Sequence, residues 1–520
     1  MGTRSGRSSR WRAKCILLGL PASATLSCRE PATVPVAAPP AIQYPFPYRP
    51  PTVAAVTDVL ERVRQRLETA TAPGFIDRRT KRPVTDVSRP LAGVIVDPGN
   101  EGEFNPISYP MGVINSGMLS AAEATGDPRF AQFPVRWFQF YAQYLPVLAQ
   151  WPRASLAPPP STQPTPADAP DATAAGPGPA QPPSEATDRS RGEPAQRLAN
   201  PFRPLLAPNS LDDCGAIVAS MVRARTAGLG PDLDPVIRRA IDFVSHRQFR
   251  LPDGTLARHR PVRDSVWADD MYMGVSLLAQ AGRMTGDRAY FDDAARQVLQ
   301  IGHHLWVPER KLMTHGWNTV NPDDRPTYFW GRANGWCMMA MADLLTVLPD
   351  DHPDRPAVLR QFRALAQGVA SVQGGDGLWH QMLDRTDTYT ETSCSGMFCY
   401  ALARGVDRGW LDAAAYGPVA ASAWDALVTR IDPDGHVTGT CIGTGLADDY
   451  VFYYHRPAPD DIHGYGPVLL AGAEMIRLVR DPHFTVSAGA DGRAPLAFYP
   501  RGHRSRRDGE PAPPATQQSP

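Results

Sequence analysis

The chain has 520 residues, 42% apolar and 20% charged, which is enough for a large core and excludes a chain disordered throughout. Lys+Arg and Asp+Glu both number 53, and zero formal net charge argues against binding nucleic acid through bulk charge. No apolar run approaches the roughly 20 residues of a transmembrane helix, so no membrane span is expected.

The N-terminus is basic, then apolar over Cys15–Leu20, then small-residue-rich up to Cys28. That is the layout of a secretory signal over 1–28, so we expect an exported protein, periplasmic or secreted, with Cys28 a possible lipid site. A cytoplasmic protein is the alternative. Proline, at 55 residues, concentrates in 31–51, 151–200 and 501–520. Such stretches bury too little apolar surface to offset chain entropy. The expected organisation is therefore a linker at 29–50, one folded domain at 51–483 with a disordered insert at 152–200, and a disordered tail at 484–520. Beyond Cys28 only five cysteines remain, with no Cys-x-x-Cys pair, so neither a disulfide framework nor a zinc set is expected.

Apolar residues in the folded part recur at helical spacing. Twelve helices are predicted, over 53–69, 111–124, 129–149, 211–227, 234–247, 267–284, 288–303, 331–347, 356–371, 394–408, 412–430 and 464–480. Two turns match, Thr125-Gly126-Asp127 and Thr285-Gly286-Asp287, in which Gly closes one helix and Asp opens the next. The even-numbered helices are small or apolar nearly all round, which marks them as buried. Six hairpins of similar period predict an all-α, (α/α)6 barrel with those helices as its inner ring.

The unusual polar and aromatic clusters stand at the starts of the inner helices: SYPMG, LDDCG, VWADD, FWGRANGW, ETSCSG and DIHGYGP. Parallel inner helices would bring them to one mouth. Asp212, Asp213, Asp269 and Asp270 are helix-cap candidates one by one, but two pairs on neighbouring inner helices are also equipment for acid/base work on glycosides. In Phe329–Trp336, Arg332 suits a carboxylate and the aromatic rings suit sugar faces. His259, His315 and His463 lie in loops near the mouth.

Val266–Gly274, His315-Gly316-Trp317, Phe329–Trp336, Gly377–Gln381, Glu391-Thr392-Ser393 and His463–Pro467 together resemble the unsaturated rhamnogalacturonyl hydrolases of glycoside hydrolase family 105. More distantly they resemble the unsaturated glucuronyl hydrolases of family 88. The resemblance spans about 51–151 and 201–480 and implies the same (α/α)6 fold. It implies hydration of the 4,5-double bond of an unsaturated uronic acid at the non-reducing end of a small oligosaccharide, such as a pectin-derived one. A carboxylic acid protonates C4, water adds at C5, and the hemiketal opens to release the neighbouring sugar. On this resemblance Asp269 is the acid/base and Asp213 positions water and tunes Asp269. Arg332 and His315 are candidates for the uronate carboxylate, Tyr109, Trp330 and Trp336 for the sugar-stacking wall, and His259 for a rim contact. No cofactor or metal is implied, and a monomer is expected. The rival readings are an unsaturated glucuronyl hydrolase of glycosaminoglycan-type or other uronic disaccharides and a non-catalytic sugar-binding barrel.

Overall fold

A computed structural model describes residues 51–99, 104–158, 198–320, 328–447, 449–454 and 461–481, with the backbone of two further strands, Phe484–Ser487 and Ala497–Pro500. The chain divides into Met1–Ile42 and Gln43–Pro520. The first unit, with the expected signal and most of the linker, lies outside the described residues, as do 159–197 of the insert.

Six helices form a closed inner ring: α2 (Tyr109–Thr125), α5 (Leu211–Thr226), α7 (Ala268–Thr285), α9 (Gly331–Val347), α11 (Thr392–Asp407) and α13 (Ile462–Arg480). Each packs on the next, and α13 packs back on α2. The outer ring is α1 (Val53–Ala70), α3 (Pro128–Leu148), α6 (Asp234–Asp242), α8 (Arg288–Leu305), α10 (Arg355–Ser371) and α12 (Ala413–Val428). Here α1 lies on α13, and each other outer helix lies on the inner helix before it. This is the (α/α)6 barrel that the helix count predicts.

The two rings differ because their sequences differ. On α8 the buried residues, Phe291, Ala294, Ala295, Val298, Ile301 and Leu305, form one stripe, whereas α7 is buried from Ala268 to Gly282. Inner helices approach closely where glycine removes a side chain. A Cβ at Gly112 would lie 2.3 Å from Ile217 N on α5, and one at Gly215 would lie 1.9 Å from the Met273 carbonyl oxygen on α7. The matched turns behave as predicted: Gly126 and Gly286 close α2 and α7 with φ of 77° and 74°, and Asp127 and Asp287 accept from the N–H groups of Arg129 and Ala289.

Three expectations need correction. The ends of the insert have defined structure: Arg153–Leu156 forms a 3-10 turn, and Asn200 donates to the carbonyls of Ser155 and Leu148. A short helix, α4 (Arg203–Leu206), precedes α5, and α6 ends at Asp242 in a π turn, Phe243–Arg247. In the expected tail, Phe484–Ser487 pairs antiparallel with Ala497–Pro500. The β-branched and aromatic residues in these two segments favour strands, a local signal that high overall polarity hid.

Substituting Gly215 by Ala puts a methyl group into the Met273 backbone, so Gly215→Ala should destabilise the protein by about 1–3 kcal/mol. Gly375→Ala, in open space and without a positive φ, should stay within about 0.5 kcal/mol. Denaturant melts of the two variants check this contrast.

Candidate active site

The first turns of α5 and α7 each carry two adjacent aspartates, and successive helical residues point about 100° apart. The pairs therefore split. Arg258 binds Asp212 through Nη1 and Nη2 at 2.9 and 3.1 Å, and Asp270 through Nε and Nη2 at 2.6–3.0 Å. The Trp267 ring lies 4.4 Å beneath the guanidinium carbon. Asp270 is fully buried, while the Asp212 side chain keeps 33% of its surface and is reached by solvent. Burial pushes the Asp212 carboxyl up, with Asp269 and Asp213 adding like charge and Arg258 opposing.

Asp213 does not face this cluster. It is engaged by Arg203 of α4, and the Asn209 N–H donates to it at 2.9 Å. The expectation that Asp213 tunes Asp269 is therefore corrected: the α5 carboxylate whose charge reaches Asp269 is Asp212, because the helix turns Asp213 toward α4.

Asp269 is placed by a small sheet. The strands β3 (Ser265–Trp267) and β6 (Gly316–Asn318) pair antiparallel with Trp267 opposite Gly316, and Ala268 N donates to His315 O. His315 Nε2 thus comes within 3.3 Å of Asp269 Oδ2. No hydrogen bond joins them, and among the described residues neither atom has a hydrogen-bond partner. His315 Nδ1 lies 2.8 Å from the Tyr453 hydroxyl. Burial raises the Asp269 carboxyl, but His315, with the charges of Arg258 and Arg332, holds it below the usual carboxylate range.

The start of α9 anchors three loops. Trp330 Nε1 donates to Gln381 Oε1, Asn334 exchanges two hydrogen bonds with the Met313 backbone, and Arg332 donates to Cys441 O, Ile442 O and Ser393 Oγ. Arg332 is buried above the Trp330 ring. Its two Nη groups are occupied by protein, so the expected bidentate grip on a uronate carboxylate is replaced by a loop-anchoring role. Glu391 completes that anchor, accepting from the N–H groups of Ser393, Cys394 and Cys441.

Trp330 and Trp336 are each 1% exposed, Trp336 stacking on Tyr272. They form packing beneath the mouth, not the open stacking wall expected of them. Tyr109 is half-buried, touches the edge of Trp336, and its hydroxyl lies 2.7 Å from His463 Nε2. His463 is in turn held by Asp461. His259 is exposed, against the Phe249 ring and Asp264, one residue from Arg258. Sequence reasoning assigned no role to Arg258, Asp461 or Tyr453, and weighed Asp212 only as one of the paired aspartates. Arg258 had one available signal, its place in the Arg258-His259-Arg260 run before VWADD. Among the described residues no group of three or more His, Cys, Asp or Glu is placed to hold a metal ion.

The structure thus places carboxylates, histidines and aromatic rings at one mouth of a closed six-hairpin barrel. The model of glycosyl hydrolase family 88 matches residues 191–479, and the chain belongs to that family. It is 30% identical over 226 residues to an unsaturated 3S-rhamnoglycuronyl hydrolase of Formosa agariphila, covering 41% of this chain and 58% of that protein. It is 27% identical over 230 residues to the unsaturated rhamnogalacturonyl hydrolase YesR of Bacillus subtilis, covering 43% and 64%. The matches thus span less than two thirds of either relative. A solved structure described as a possible member of the GH105 family, from Salmonella enterica, superposes with a TM-score of 0.60 at 20% identity, over 83% of this chain and 96% of that one. That likeness shows the fold.

The anchoring role of Arg332 has a measurable consequence. Arg332→Ala removes charge-assisted hydrogen bonds in a dry site and should cost on the order of 3 kcal/mol in a denaturant melt. An unchanged melt would return Arg332 to ligand binding.

Proposed function

We propose that the protein hydrates the 4,5-double bond of an unsaturated uronic acid at the non-reducing end of rhamnogalacturonan oligosaccharides and so releases the neighbouring sugar. The observation that carries this reading is Asp269, a buried carboxylate facing His315, with the Arg258-paired Asp212 as a second carboxylate at the same mouth. Family membership and the name of the Bacillus relative support it.

In this reading Asp269, protonated, gives its proton to C4. Water adds at C5 and returns a proton to Asp269, so one carboxyl serves as acid and then as base. The resulting hemiketal opens and the neighbouring sugar leaves. Asp212, solvent-reached and tied to Arg258, positions the water. Tyr109 and His463 contact sugar hydroxyls, and His259 remains a rim contact. The positive charges of Arg258 and Arg332 attract the uronate without a bidentate contact. In the unliganded protein Asp269 is held low. An arriving uronate is a like charge and excludes water, and both effects raise Asp269 toward its acid form.

A second reading is favoured by the name of the Formosa relative: the same chemistry on a rhamnoglycuronyl oligosaccharide. A panel of lyase-generated disaccharides, followed by loss of the ultraviolet absorbance of the conjugated double bond, separates the two. If the absorbance persists on every member while the sugars bind, the protein is a sugar-binding barrel and the hydration reading falls. The basic-then-apolar N-terminus supports export, which fractionation of cells expressing the full chain would test.

Asp269→Asn keeps the volume and removes the transferable proton, so turnover should fall by roughly 10²–10⁴-fold. A residual rate above about a tenth of wild type would move the acid elsewhere. The rate should fall as pH rises through the Asp269 pKa of the complex, because the acid form is required. Asp212 raises that pKa as a like charge, so in Asp212→Asn the fall should move to lower pH. A kcat–pH profile checks the sign.

A further inference from the structure

The proposed reaction uses the face of His315 that looks at Asp269, but the other ring nitrogen is also held. Tyr453 ends a 3-10 turn, Val451–Tyr453, with its side chain fully buried and its hydroxyl 2.8 Å from His315 Nδ1. The turn is tied to the wall behind the imidazole. Gln381 Nε2 donates to Tyr453 O, and Gln381 Oε1 accepts from Trp330, whose ring lies 4.5 Å from that of His315. Phenol, imidazole and carboxylate therefore stand in series, at 2.8 and 3.3 Å. A neutral imidazole carries one N–H and one lone pair, so the partner of one nitrogen decides what the other offers.

We propose that Tyr453 is a positioning residue for the hydration reaction: its hydroxyl donates to His315 Nδ1, which leaves the hydrogen on Nε2, the nitrogen 3.3 Å from Asp269 Oδ2. This rests on the function proposed above. The groups that face the series are Asp269 and Asp270 on α7, Asp212 on α5, Arg258 before β3, Arg332 on α9 and the ring of Tyr328. Tyr453→Phe removes one oxygen and leaves all of them in place.

Without the hydroxyl, the imidazole loses the contact that selects its tautomer and orientation. Asp269 then loses an N–H held on its side of the ring, and its acid form is favoured. The alkaline fall in kcat should move to higher pH, the plateau kcat should drop about tenfold, and KM should change little. In a His315→Gln background the same substitution should have almost no further effect, because Tyr453 acts through His315.

The test is kcat, KM and pH profile of the full chain for wild type, Tyr453→Phe, His315→Gln and the double variant on an unsaturated rhamnogalacturonan disaccharide. It is joined to imidazole nitrogen NMR of the wild type, which needs no variant to fold and no turnover. A single Nε2–H tautomer of His315 together with a non-additive cycle supports the proposal. An Nδ1–H tautomer or a mixture, unchanged kinetics in Tyr453→Phe, or a fully additive cycle overturns it. Absence of turnover by the wild type overturns the hydration reading instead, and the NMR result still decides whether Tyr453 holds His315.

Discussion

One guanidinium holds the mouth of this barrel together. Arg258 lies between Asp212 of α5 and Asp270 of α7 and stacks on Trp267. Three carboxylates of neighbouring inner helices, Asp212, Asp269 and Asp270, would otherwise crowd a poorly hydrated space. A fully buried Asp270 without Arg258 would be an uncompensated charge, a defect that typically costs about 3–5 kcal/mol. The same residue sets geometry. Arg258 pairs its backbone with Ser265, the first residue of β3, and the pairing of β3 with β6 brings His315 to Asp269. The contact that makes the carboxylates tolerable also begins the chain of contacts that builds the site.

A second cation, fully buried, organises the part of the mouth at α9, the helix next to α7 in the ring. Arg332 draws the Cys441–Ile442 backbone onto the start of α9, and Glu391 holds the Cys441 N–H from α11. Trp330 and Asn334 fix two further loops. The start of α9 thus fixes the positions of three neighbouring segments of the mouth. Asp269, the carboxyl proposed to react, stands on the first turn of a buried helix with its neighbours locked by such anchors, which keeps its geometry without a ligand.

The helices were readable from sequence because apolar periodicity reports burial directly, and ring closure followed from the spacing of small, all-round apolar helices. The two-to-four-residue strands were not readable, since runs so short carry no period; β3 and β6 became visible only through their pairing. Asp213 was chosen over Asp212 because motif spacing names a position, whereas the rotational phase of α5 decides which side chain faces the axis. The partner that settles the matter, Arg203, sits on a four-residue helix beside a proline tract. Arg332 and its tryptophans were read as ligand contacts because sequence shows donors and rings but not the carbonyls and side chains that occupy them. Asp269 and His315 were named from the motif, and the structure places them 3.3 Å apart.

The central claim is that a proton is added at C4 of the unsaturated uronate, and not that a glycosidic bond is cut by direct displacement. It is tested most directly by running the reaction in deuterium oxide and following the products by NMR. The hydration reading predicts loss of the vinyl proton signal and appearance of deuterium at C4 in step with release of the neighbouring sugar. Release of that sugar with the double bond intact and no deuterium at C4 would contradict it.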